Sequence, residues 1–152
     1  MKRTIAVVSV LFALILLALS PLPATAQTTE RVWDQGTVWS ITYVETKPNM
    51  FNSYLKNLSH VWRAFLEKQK EEGDVISYTM LNVQNTRDGE PDLILMTEFK
   101  NMAVFDRGID YFEQMSAEVM GSLEDMQQDN VSREELRTIR STVLAREILF
   151  KE

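Results

Sequence analysis

Residues 38–81 read VWSITYVETKPNMFNSYLKNLSHVWRAFLEKQKEEGDVISYTML, and their pattern changes period twice. From Val38 to Thr46 apolar and polar side chains alternate, which is the signature of a strand. Trp39, Ile41 and Tyr43 fall on one face of it, and Val38, Ser40, Thr42 and Val44 on the other. Lys47-Pro48-Asn49 breaks that strand. At 100° per residue, Phe51, Tyr54, Leu55, Leu58, Val61, Trp62, Phe65 and Leu66 then fall within one arc, predicting an amphipathic helix of some twenty residues that packs on a sheet. Gly73 follows as its stop, and a second strand runs from Val75 to about Val83. The stretch is one strand–helix–strand unit.

Working outward towards the C-terminus, NTRDGEP carries an Asp88-Gly89 turn signal, and Pro91 suits the start of a third strand over 92–100. From Ile109 the residues Phe112, Met115, Val119, Met120, Leu123 and Met126 recur at helical spacing, predicting a second helix to about Gln128. Ser132 and Glu135 form an S-x-x-E capping box, predicting a short third helix over 133–140. Residues 142–151, rich in β-branched and aliphatic side chains, complete the order as a fourth strand. The order β-α-β-β-α-β predicts an α+β, ferredoxin-like fold: a four-stranded antiparallel sheet with helices on one face. Two helices cannot cover both sides of such a sheet, yet the strands carry apolar groups on both. The bare side should therefore meet a second apolar surface, most simply the same sheet of another subunit.

Working towards the N-terminus, residues 27–37 are polar apart from Val32 and Trp33 and read as a leader into a domain spanning 38–152. Ahead of them, Lys2 and Arg3 precede an apolar run from Ile5 to Leu19, followed by Ala24-Thr25-Ala26. That is the pattern of a secretory signal peptide over residues 1–26, cleaved before Gln27, and the run is shorter than the roughly 18–20 residues of a spanning helix. The expectation is an exported protein, periplasmic or extracellular, with no membrane segment after cleavage. Losing Lys2 and Arg3 takes the net charge two units below the −6 of the full chain. So acidic a surface repels phosphate backbones and disfavours nucleic acid as a partner.

The residues exclude several chemistries. The chain has no Cys, hence no disulfide, thiolate metal site or cysteine nucleophile. Its single imidazole, His60, lies opposite the apolar arc of the first helix, with no carboxylate three or four residues away to complete a metal pair. No G-x-S-x-G, G-x-G-x-x-G, P-loop or calcium loop occurs. No metal and no cofactor are expected. Asn57-Leu58-Ser59 and Asn130-Val131-Ser132 match the glycosylation pattern. Arg146 and Glu147 sit mid-strand on opposite faces, so one of them points inward.

Three short motifs, Val44-Glu45-Thr46-Lys47-Pro48, Gly73 with Val75-Ile76-Ser77-Tyr78, and Thr97-Glu98-Phe99-Lys100-Asn101 with Ala103, resemble the antibiotic-biosynthesis-monooxygenase-like group of dimeric α/β-barrel domains. The resemblance covers residues 38–105. It implies a homodimer joined sheet to sheet, with a cavity between sheet and helices. Members include cofactor-free monooxygenases, haem-degrading enzymes, isomerases and proteins of no known activity. The asparagine, tryptophan and acidic residue of the enzymatic members fall at Ile41, Phe99 and Thr97, and no histidine occupies the second helix. Haem degradation by the family route is therefore not expected.

The resemblance also assigns Trp39, Ile41, Tyr43, Leu95, Thr97 and Phe99 to the cavity side, with Tyr43 and Thr97 as the polar groups. Such a pocket suits a small apolar or aromatic ligand. The plainer alternative is that these side chains fill a dimer core. The function expected is a secreted, non-enzymatic homodimer that holds such a ligand; the alternative is a cofactor-free monooxygenase or isomerase acting on an aromatic or lactone-like substrate.

Overall fold

The computed structural model describes residues 30–152; the expected signal segment lies outside the described residues. The elements are β1 (Trp33–Thr46), α1 (Phe51–His60), α2 (Trp62–Glu71), β2 (Val75–Asn82), β3 (Leu93–Phe99), a 3-10 turn (Met102–Asp106), α3 (Ile109–Met120), α4 (Leu123–Leu136) and β4 (Arg137–Phe150). The strands form one sheet in the order β2-β3-β1-β4 with every neighbouring pair antiparallel. This is the ferredoxin-like arrangement expected: β3 lies between β1 and β2, splitting the first βαβ unit.

The first helix is kinked at Val61, where φ −97° and ψ −67° separate α1 from α2. The backbone bonds Val61 N–H to Asn57 O and Phe65 N–H to Val61 O carry the chain across the kink, so the predicted apolar arc survives. Gly73 at φ +78° ends it: its N–H reaches Lys70 O and that of Asp74 reaches Gln69 O, the two bonds of a Schellman motif. The arc buries Tyr54, Leu58, Val61 and Leu66. One cluster joins Leu66 to Val38, Val75, Phe99 and Val104; the other joins Tyr54 and Leu58 to Val44, Leu93 and Leu95. The space between the sheet and the first helix is thereby filled.

Four expectations about boundaries are corrected. Residues 33–37 are not leader: Trp33, Asp34 and Gln35 pair with Phe150, Leu149 and Ile148 of β4. The second helix stops at Gly121, whose φ of +92° no helix accommodates, and α4 restarts behind Ser122, whose Oγ accepts from Asp125 N–H at 3.0 Å. Ser132 is therefore interior to α4 and not a cap; its hydroxyl donates to Asp129 O. The expected helix over 133–140 ends at Leu136 because Arg137 is already extended (φ −151°) and paired with Thr46, so β4 begins five residues early.

The α3–α4 segment packs alongside α1 and α2. Leu136 at the end of α4 packs on the Tyr54–Leu58 cluster, and the rest of the α4–α1 seam is polar: Asn57 Nδ2 donates to Asp129 Oδ1 at 2.5 Å, and Arg133 Nε lies 2.9 Å from Asp129 Oδ2. Arg137 stacks over the Tyr54 ring. Asn57, read as a glycosylation position, is thus held inside the seam.

Candidate functional site: the open face of the sheet

Residues directly opposite in an antiparallel pair share a face. The β1–β3 register sets Val38, Ser40, Thr42 and Val44 opposite Phe99, Thr97, Leu95 and Leu93, and sets Trp39, Ile41 and Tyr43 opposite Glu98, Met96 and Ile94. The six candidate pocket residues therefore do not share one face. Leu95, Thr97 and Phe99 are buried against the helices with Val38 and Val44. Trp39, Ile41 and Tyr43 lie on the opposite, open face, half-buried beside Ile94 and Met96. Val143 of β4, opposite Ile41, extends the same row.

At one end of this apolar row stands a polar cluster. Thr37 Oγ1 donates to Glu98 Oε1 at 3.0 Å, and Ser77 Oγ donates to Glu98 Oε2 at 2.6 Å. Each oxygen of Glu98 thus accepts a hydroxyl. Glu147 reaches the same spot, its Oε2 accepting from Thr37 N–H at 3.4 Å and lying 3.2 Å from the Thr37 hydroxyl. Two bulges build the cluster. In β1 the register shifts between Gln35 and Val38, setting Gly36 and Thr37 against Glu147; in β2 it shifts between Val75 and Ser77, leaving Ile76 extra beside Glu98. A bulge turns two successive side chains to one face, which is how Thr37 and Ser77 come to meet the same carboxylate.

Of the Arg146–Glu147 pair, Glu147 faces the open side; Arg146 lies opposite Val38 on the helix side and donates to Gln35 Oε1. At the far end of the open face Glu45 accepts from Gly89 N–H at 3.2 Å and pairs with Arg140, the extra residue of a third bulge in β4 beside Tyr43. Chemically, the open face offers an apolar and aromatic floor, two carboxylates at one end and a glutamate–arginine pair at the other. Among the described residues no group of three or more His, Cys, Asp or Glu is placed to hold a metal ion, and no helix is long and apolar enough to cross a membrane. His60 is exposed at the end of α1, far in sequence from the cluster.

Glu98, Thr37, Ser77, Glu45 and Arg140 are site residues that the sequence pattern did not assign to the site. The available signal was Glu98 itself, an acidic side chain in a seven-residue strand whose other members are apolar or Thr. Another cleft is bounded by residues already satisfied within the protomer. In the cleft of about 370 Å³ between α2 and α3, Tyr111 donates to Glu72, Arg107 pairs with Asp74 at 2.5 Å, and Lys68 pairs with Glu118 at 2.8 Å. These contacts clasp the two helices together.

No protein-family model and no curated protein matches the chain. Several solved structures are similar in shape. A dimeric ferredoxin-like protein from an uncultured marine organism gives a TM-score of 0.48 at 13% identity, over 78% of this chain and 91% of that one. A second dimeric ferredoxin-like protein from an uncultured marine organism gives 0.46 at 17% identity, over 77% and 98%. A protein from Shewanella oneidensis gives 0.45 at 13% identity, over 77% and 98%.

Proposed function

We propose that the protein is an exported homodimer whose sheets meet open face to open face, and that it acts by binding a small apolar or aromatic molecule between them rather than by catalysis. The observation that carries this reading is the row Trp39, Ile41, Tyr43, Ile94, Met96 and Val143, which lies in register on the sheet face that the helices leave bare. Covering that row removes aromatic and aliphatic surface from water at roughly 25 cal/mol per Å². Export is supported by the N-terminal sequence pattern alone. Native mass spectrometry of protein purified from the exported fraction tests the reading: a dimer carrying a stoichiometric small molecule supports it, and a monomer at micromolar concentration removes it.

The same face motivates a second reading, a cofactor-free isomerase or oxygenase. Its support is Glu98, a carboxylate fixed by two hydroxyls next to the aromatic row, a geometry suited to removing a proton from a bound substrate. Turnover of an aromatic or lactone substrate, lost in Glu98→Gln with binding retained, would favour it over the binding reading.

A further inference from the structure

We infer that the two copies lie on one another reversed along the strands, so that the Glu98–Glu147 end of each open face meets the Glu45–Arg140 end of the other. This rests on the homodimer reading above and adds the orientation of the partner.

The two ends differ in charge. Glu98 and Glu147 are held by the Thr37 and Ser77 hydroxyls and the Thr37 amide, and none of the ion pairs seen among the described residues includes either of them. The cations around them are committed or displaced. Arg146 is on the helix side with Gln35, Lys151 lies 3.6 Å from Asp34, and Arg107 is taken by Asp74. Lys100, two residues beyond Glu98, is exposed past the end of β3. At the other end Arg140 contacts Glu45 through one terminal nitrogen and keeps 42% of its side-chain surface in solvent. A guanidinium has five donors, so most of its capacity is open.

The rows between the ends are arranged about Ile41. Thr37 and Trp39 precede it by four and two residues; Tyr43 and Glu45 follow it by two and four. A two-fold axis between two facing sheets can run along the strands or across them. Along the strands it stacks like ends, gathering four carboxylates whose partners are hydroxyls and an amide; excluding water from such a group is unfavourable. Across the strands at Ile41, it places Ile41 on Ile41, Trp39 on Tyr43 of the second copy, and the carboxylate end on Arg140. Apolar rows then meet apolar rows, and the two acids of each carboxylate end meet one Glu45–Arg140 pair, so the four acids are divided between two ends and each end gains a guanidinium. Near-aligned packing is an ordinary arrangement for two sheets.

The absence of cysteine makes the test direct. Val32→Cys labels the Glu98–Glu147 end and Thr86→Cys the Glu45–Arg140 end; each carries one spin label per protomer, and pulsed electron resonance reads the distance between the two copies. Reversed stacking gives a long separation, beyond about 30 Å, in both variants, given strands rising about 3.3 Å per residue. A separation shorter than this in either variant overturns the inference while leaving the dimer intact. A second readout is the charge dependence of association. Glu98→Gln/Glu147→Gln, checked for unchanged circular dichroism, should weaken the dimer about tenfold or more and reduce its sensitivity to salt. Tighter or unchanged association in that variant overturns the orientation. A chain monomeric at all accessible concentrations overturns the homodimer reading, and the orientation with it.

Discussion

The Glu147 carboxylate occupies the space that a side chain on Gly36 would need: a Cβ built on Gly36 would lie 2.4 Å from Glu147 Oε2 and 2.9 Å from Glu147 Cβ. The tip of Glu147 could move aside, but its Cβ is fixed by the β4 backbone. Gly36→Ala is therefore expected to push β1 and β4 apart at the bulge and to cost about 1–3 kcal/mol, the usual range for overpacking. Urea unfolding checks the stability. Loss of the Glu147–Thr37 contact should appear as a change in the Thr37 amide shift.

Met96 and Leu95 are neighbours in β3 with opposite fates. Met96 is on the bare face beside Ile41, and Leu95 is buried under the helices. Met96→Lys should abolish the dimer in light scattering at micromolar concentration while leaving the monomer folded. Leu95→Ala should instead destabilise the fold by about 2–5 kcal/mol, as truncation of a buried leucine does. Equal effects of both on unfolding would contradict the assignment of faces.

Asp129 is the acceptor on which the seam between α1 and α4 depends. Asp129→Ala leaves Asn57 Nδ2 and the Arg133 guanidinium without it. The expected cost is about 1–3 kcal/mol, since no residue of α4 is fully buried and the half-buried Leu136 packs on the core only at its C-terminal end. Hydrogen exchange should localise the loss to α4 and spare β1 and β3.

Three of the four tyrosines have phenols raised above the ordinary 10.0. Burial raises Tyr54 against the pull of Arg137 and Arg133; the hydrogen bond to Glu67 is the main cause for Tyr78; burial and then the bond to Glu72 raise Tyr111. A group raised in the folded state contributes stability that is complete below its unfolded pKa and is lost as pH rises through the folded value. Stability should therefore fall above about pH 10, and ultraviolet titration should show three tyrosines ionising late. Tyr111→Phe should remove one late step and flatten the alkaline fall in melting temperature.

Much of the architecture was legible because local pattern and burial coincide. The arc from Phe51 to Leu66 had to cover something, and Gly73 had to end it, so the helix and its inner face followed from spacing alone. The break at Gly121 was less visible, because Val119, Leu123 and Met126 keep a helical spacing across a residue whose positive φ interrupts the helix. The early start of β4 was hidden in RTIR, whose polarity reads as surface helix until its pairing with β1 is known.

The candidate site shows where local pattern stops. Within β1 the alternation of Trp39, Ile41 and Tyr43 fixes that these three share a face, and within β3 Leu95, Thr97 and Phe99 share one as well. Nothing in either strand states whether the two sets share the same face, because shifting a register by one residue exchanges every side chain. Only the assembled sheet decides it: Val38 opposite Phe99 sends the β3 set under the helices and leaves the β1 set bare. Glu98 and Glu147, 49 positions apart, meet for the same reason: bulges at Gly36-Thr37 and Ile76 turn Thr37 and Ser77 towards them. Local pattern sufficed for the order of elements, the inner face of the first helix and the exclusion of thiolate chemistry. Register and bulges are properties of strand pairs, so which aromatic residues stay bare, and which carboxylates stand beside them, was decided by tertiary structure.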